Sequence, residues 1–180
     1  ETGIEIPLDI QKFDIYENPR GQPSCQGKIA YRGPVSPAGK NIPRIKLDLT
    51  ADERVVLPAV ISPVFHPYSD EPGGGIEIQS YAYEEAFAEK TRALGERTRP
   101  RDLYDVINLF RNADARPEAA VLLDVLRQKC EFKGIDLPTF ESLELFKPDL
   151  EGGWATMLAH QLPELPPVDS FWKELPVFFD

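Results

Sequence analysis

The spacing of apolar residues changes once, near Tyr81, and that change limits the fold more than any other property of the sequence. Between positions 10 and 81 apolar residues alternate with polar ones in short runs over 28–32, 44–50 and 75–81. Turn-forming clusters such as Asn18-Pro19-Arg20-Gly21 and Gly73-Gly74-Gly75 separate the runs. Strands and turns are expected here, and in 44–50 the alternation predicts Ile45, Leu47 and Leu49 toward a core, with Lys46, Asp48 and Thr50 on the opposite side. Past Tyr81 the spacing becomes helical. Helices are predicted over 83–97, 101–112 and 117–133, the last carrying an apolar stripe of Leu122, Val125, Leu126 and Cys130 and stopped by Gly134. Shorter helices are predicted over 139–146, 148–161 and 168–179, each opened by Pro, Asp or Thr. The expected fold class is α+β: a mixed or antiparallel sheet region over 1–81, then a helical bundle over 82–180.

Charge excludes one broad function class. Lys and Arg total 20 against 30 Asp and Glu, a formal net charge of -10, so bulk electrostatic coating of nucleic acid is not expected, although a local basic pocket is compatible with it. Cys25 and Cys130 form no Cys-x-x-Cys motif and signal neither a zinc site nor a disulfide framework, which suits a reducing cytosol. No apolar run approaches the roughly 20 residues of a membrane span. A cytoplasmic protein without membrane association is expected.

Chemistry concentrates in 83–105, where Glu89, Lys90 and Arg97 lie on one predicted helix and Asp102 and Asp105 follow Pro100 on the next. Lys90 and Arg97 are seven positions apart and return to within about 20° of each other around the helix, with Leu94 between them. Asp102 and Asp105 share a face of the following helix, so cations and carboxylates can meet at the corner, an arrangement suited to phosphates. Read singly, these residues have ordinary explanations: Arg92 and Arg97 as local partners of glutamates, Asp102 at the positive end of a helix dipole, Asp105 paired with Arg101. The interleaved Phe87, Leu94, Leu103 and Tyr104 argue that the helices pack, which brings the charges together.

Elsewhere the signals are weaker. Asp48, with Lys46 two positions before it on the same strand face, is the one strand carboxylate placed to ligate Mg²⁺, a hard cation that takes oxygen ligands; no strand carries an Asp-x-Asp pair. His66 sits in a Pro-rich loop with no nucleophile pattern, and the Gly73 to Gly75 run lacks the Lys-Ser/Thr of a phosphate loop and reads as a turn. Arg20 and Lys28 are possible parts of a basic rim, and Arg92, Arg97, Arg99 and Arg101 are the best candidates for a local RNA-binding surface.

The run Glu89-Lys90, Ala93-Leu94, Arg97 and Pro100-Arg101-Asp102-Leu103-Tyr104-Asp105 resembles the signature of the AbiEii/AbiGii nucleotidyltransferase toxin family. Upstream, Lys46-Leu47-Asp48-Leu49-Thr50 is similar to that family's second motif. The resemblance extends loosely over the strands from about Gly3 to Tyr81 and fades past about Asn112. It implies a nucleotidyltransferase fold and a toxin of a type IV toxin-antitoxin or abortive-infection system that uses Mg²⁺ and an NTP and modifies an RNA, tRNA-like, or a protein acceptor. A cognate antitoxin, an AbiEi-like regulator, is the implied partner. By position it assigns Asp48, Lys90 and Asp105 as catalytic, Asp48 also as a metal carboxylate, and Lys46, Lys90, Arg97 and Asp102 as nucleotide-binding. The family's first motif, Gly-Ser followed by Asp-x-Asp, is not found before Asp48, and the chain starts at Glu1 without Met. The expectation is therefore the C-terminal part of an enzyme. The alternatives are a non-catalytic truncated homologue that binds antitoxin or nucleotide, and an α+β scaffold whose charged helices serve only packing and solubility.

Overall fold

The structure is a computed structural model and describes residues 3–33, 42–69, 71–112 and 117–180. The chain divides into two compact units: residues 1–53 with 65–76, and residues 54–64 with 77–180. The fold is α+β, with the sheet antiparallel.

In the first unit, β1 (Lys12–Glu17), β2 (Pro23–Ala30) and β3 (Arg44–Thr50) form a three-stranded antiparallel sheet in the order β1-β2-β3. The β1–β2 turn is built by Asn18, whose Oδ1 accepts the backbone N–H of both Arg20 and Gln22 at 2.9 Å, and whose amide donates to Asp52 Oδ2 at 3.0 Å. Arg20 reaches the same carboxylate, at 3.5 Å. Register places Phe13, Gly27 and Leu47 in one row and Ile15, Cys25 and Leu49 in another, so these two rows make one face apolar, with Glu17 at its end opposite Pro23. That face is not a core. Ile45, Leu47 and Leu49 are 55%, 39% and 58% exposed, which corrects the inward orientation expected from alternation. Alternation fixes which residues share a face but does not state what covers the face.

In the second unit, β4 (Val60–Pro63) pairs with β5 (Glu77–Ser80), and the helices follow: α1 (Tyr83–Arg97), α2 (Pro100–Arg111), α3 (Ala119–Lys133), α4 (Phe140–Glu144), α5 (Lys147–Leu158), α6 (Asp169–Trp172) and α7 (Leu175–Phe179). The helix expected over 168–179 is two short ones, because Lys173 and Glu174 close the first and Pro176 opens the second. Gly134 ends α3 in the left-handed conformation, φ 66°, its N–H returning to the carbonyls of Cys130 and Glu131, as its position predicted. The main core gathers Leu103, Val106 and Ile107 of α2 with Phe87 and Leu94 of α1, Leu150 and Trp154 of α5, and Phe171, Trp172 and Leu175 near the C-terminal end. Rings knit it together: Tyr104 stacks on Phe171 at 5.2 Å and Phe87 on Phe178 at 5.5 Å, while Trp154 Nε1 donates to the Pro166 carbonyl.

A second, smaller cluster of Ala88, Val125, Leu126 and Cys130 joins α1 to α3, and beside it lies a buried ion pair. Lys129 Nζ is 2.6 Å from Glu85 Oε1, both side chains about 1% exposed, and lies 3.3 Å from Glu89. The ammonium also donates to the Arg54 carbonyl, and the Glu85 carboxylate accepts the N–H groups of Val56 and Leu57. One network therefore fastens the segment entering β4 to two helices.

Removing Lys129 would leave Glu85 buried without its counter-charge. Lys129→Met is expected to lower the unfolding free energy by about 3–5 kcal/mol, with partial recovery on adding Glu85→Gln, read from urea denaturation. Burial alone raises the Glu89 carboxyl, but the hydrogen bond and charge of Arg92 and the charge of Lys129 outweigh it and hold it below its ordinary 4.5. A depressed carboxyl contributes stability above its unfolded value and loses it as pH falls through the folded one. Stability is therefore expected to drop as pH falls below about 4.5, and Glu89→Gln should flatten that acid limb in pH-dependent thermal melts.

Candidate functional site

The corner between α1 and α2 is set by a short break. Thr98 closes α1 at φ 45°, an uncommon left-handed value for a residue with a Cβ; Arg99 is extended, and Pro100 starts α2 at its first turn. The helices then run antiparallel, since Tyr83 Oη donates to the Leu109 carbonyl at one end while Arg97 meets Asp102 at the other. Between these ties Lys90 Nζ lies 2.6 Å from Asp105 Oδ2. The expected meeting of cations and carboxylates at the corner is present. The Asp105 pairing with Arg101 is not, because Arg101 Nε turns to the Met157 carbonyl.

The two pairs differ in character. Arg97 donates through Nε to Asp102 Oδ2 at 2.7 Å and through Nη2 to Oδ1 at 2.8 Å, a bidentate fork on a carboxylate that is 1% exposed. That hydrogen bonding raises the Arg97 pKa. Lys90 and Asp105 are about 42% and 35% exposed, so their ammonium and carboxylate reach solvent. One pair is built into the frame and the other is accessible to a ligand.

Arg92 does not belong to an RNA-facing surface. Its side chain is 7% exposed and is clamped by Glu89 at 2.7 Å and Glu96 at 2.5 Å. Burial disfavours its charged form, but those two carboxylates outweigh it and raise its pKa. Of the four arginines expected there, Arg97, Arg99 and Arg101 remain exposed.

Lys46 and Asp48 belong to the first unit, on the polar side of β3. Gln26 Nε2 donates to Asp48 Oδ1 at 3.1 Å, and Lys46 Nζ lies 3.6 Å from Oδ2. Among the described residues no group of three or more His, Cys, Asp or Glu could hold a metal ion. A lone carboxylate facing an amide and an ammonium falls short of the oxygen ligands Mg²⁺ takes, so the described residues by themselves do not fit a metal centre. His66 is partly buried in its loop, accepts the Tyr68 N–H at Nδ1, and meets the Tyr68 ring edge-on.

Glu85 and Lys129, which position α1, went unrecognised in the sequence. The available signal was phase: Lys129 falls on the stripe of Leu122, Val125 and Leu126, where a cation has to find a buried partner.

A family model described as the nucleotidyl transferase AbiEii toxin of a type IV toxin-antitoxin system matches residues 5–174. The chain belongs to the AbiEii family. The match runs well past Asn112, where the motif resemblance fades, and takes in the C-terminal helices. No curated protein and no solved structure matches the chain. Membership brings toxin-type nucleotidyl transfer at the level of the family, in which a divalent metal is general and an antitoxin is the associated partner. No described helix is long and apolar enough to cross a membrane.

The fixed pair should respond asymmetrically to truncation. Arg97→Ala leaves Asp102 buried without its fork and is expected to cost about 1–3 kcal/mol. Asp102→Ala should cost less, because the half-exposed Arg97 can turn to water. Denaturation midpoints of the two variants check the order.

Proposed function

We propose that this chain carries the nucleotide-gripping part of a Mg²⁺-dependent nucleotidyltransferase toxin that moves NMP from an NTP to an RNA, tRNA-like, or protein acceptor. In that reaction an acceptor oxygen attacks the α-phosphorus, the bond to the bridging oxygen breaks, and pyrophosphate leaves. The observation that carries the reading is the pairing of a solvent-reaching Lys90–Asp105 couple with a frame-fixed Arg97–Asp102 fork on the same helical corner.

Lys90 supplies a compact positive charge whose donors can turn from Asp105 to a phosphate oxygen, while Asp105 keeps the ammonium aimed between turnovers. Arg97 spends Nε and Nη2 on Asp102, which leaves Nη1 for a second phosphate oxygen and holds the guanidinium plane in one orientation. Asp102 acts through Arg97. Lys46 is proposed as a further phosphate contact and Asp48 as one carboxylate of the metal set, whose other ligands have to come from outside the described residues. The nucleotidyltransferase fold, the domain assignment of 1–81 and 82–180, the cytoplasmic location and a direct antitoxin contact belong to the same proposal.

The test is transfer of α-labelled NTP to tRNA and to protein by the product of the full reading frame. Labelled acceptor is expected, falling about 10- to 100-fold in Lys90→Ala and in Asp48→Ala with thermal melts unchanged. Undiminished transfer in either variant would remove that residue's role. A second reading, a non-catalytic homologue that binds nucleotide or antitoxin, is favoured by the missing three-ligand cluster among the described residues. It predicts calorimetric NTP binding, weakened by Lys90→Ala, with no labelled product under any divalent metal.

A further inference from the structure

Away from the charged corner, α3 and the C-terminal helices enclose an apolar groove of about 670 Å³. One wall is a helical stripe of Ala119, Leu122, Leu123 and Leu126, spaced i, i+3, i+4 and i+7 over two turns, or about 10 Å. The facing wall is aromatic, made by Phe140, Phe178 and Phe179, and Leu137 and Pro138 also line the space. Leu123 is 45% exposed and belongs to neither core cluster of the described residues, so nearly half of its apolar surface stays open at the groove. Among the described residues the ionisable ones lining the groove are Glu141 and Asp180, and no described Lys, Arg or His lines it. Glu141 stays ionised at neutral pH, its carboxyl lowered by hydrogen bonds from its own backbone N–H and from Thr139.

The geometry points to a docking groove for an amphipathic α-helix of a partner protein, with apolar anchors at i, i+3 or i+4, and i+7, and Lys or Arg on its flanks. The two-turn stripe fits the rise between such anchors, and the mainly apolar lining is what a helix laid in a groove buries. Charge complementarity selects the flank: an acidic rim attracts a basic helix and repels fatty-acid carboxylates and nucleic-acid phosphates. The groove lies outside the Lys90 to Asp105 corner, so this inference stands independently of the transferase reading.

A displayed library of random peptides of about 14 residues, roughly four turns, selected on the full chain tests it. Enriched sequences are expected to share apolar residues at helical spacing with Lys or Arg flanks. As synthetic peptides they should bind Leu123→Glu at least about tenfold more weakly, because the new carboxylate would be buried without a partner. Glu141→Lys should weaken them about threefold or more. Leu123→Gln, with a photo-cross-linker at the peptide's central anchor, guards against a misfolded variant: wild type should cross-link within α3 or at 178–179. Peptides with acidic flanks or no helical spacing, equal binding to both Leu123 variants, or cross-links elsewhere would overturn the assignment. So would a concentration-dependent dimer abolished by Leu123→Glu, which would place a second copy in the groove.

Discussion

The second unit is organised around one ammonium group that has no access to water. Lys129 cannot stay charged where it lies unless every donor finds an acceptor, and it finds them in Glu85, Glu89 and the Arg54 carbonyl. This requirement couples three parts of the sequence that are distant from one another: the strand-entry segment at 54–57, the first turns of α1, and the last turns of α3. An apolar contact in the same place would tolerate sliding or rotation of α1 against α3. A charge that must meet two carboxylates and a carbonyl does not, and α1 is therefore held in one rotational setting.

That setting is what makes the functional corner possible. Glu85 and Glu89 point α1 toward α3, so Lys90 and Arg97 emerge on the side that meets α2. Gly95 completes the fit, since a Cβ there would stand 2.7 Å from Pro138 Cβ, and the loop leading to α4 passes directly over the helix. Charges are thus graded by depth. Lys129 and Arg92 are neutralised inside, Arg97 is half committed to a buried Asp102, and Lys90 stands in reach of solvent.

Much of this was legible in the sequence where local chemistry decided it. The helices 83–97 and 117–133 followed from period and from Gly134, and the Lys90, Arg97, Asp102 and Asp105 encounter followed from spacing across Pro100. Strands β1 and β4 did not stand out: Phe13 and Ile15 alternate over only six residues, and Val60–Pro63 is four residues ending in a proline. What failed were inferences about the far side of an element. Alternation in β3 sorted its residues correctly into two faces but could not say that the apolar face lies open. The charge-rich run at 89–97 did not reveal that Arg92 turns inward while Arg97 turns to α2, because that depends on which helix packs on which side.

The uncovered sheet face in the first unit has a colloidal consequence. Phe13, Ile15, Ile45, Leu47 and Leu49 present a continuous oily surface, and a patch of this kind is kept apart from its copies in solution by like-charge repulsion. The chain's formal charge of -10 supplies that repulsion at neutral pH, and it is carried by carboxylates, which acid discharges. The molecule's dispersal in water therefore depends on its surface carboxylates staying charged, and protonating them in acid weakens the repulsion that keeps this face from a second copy.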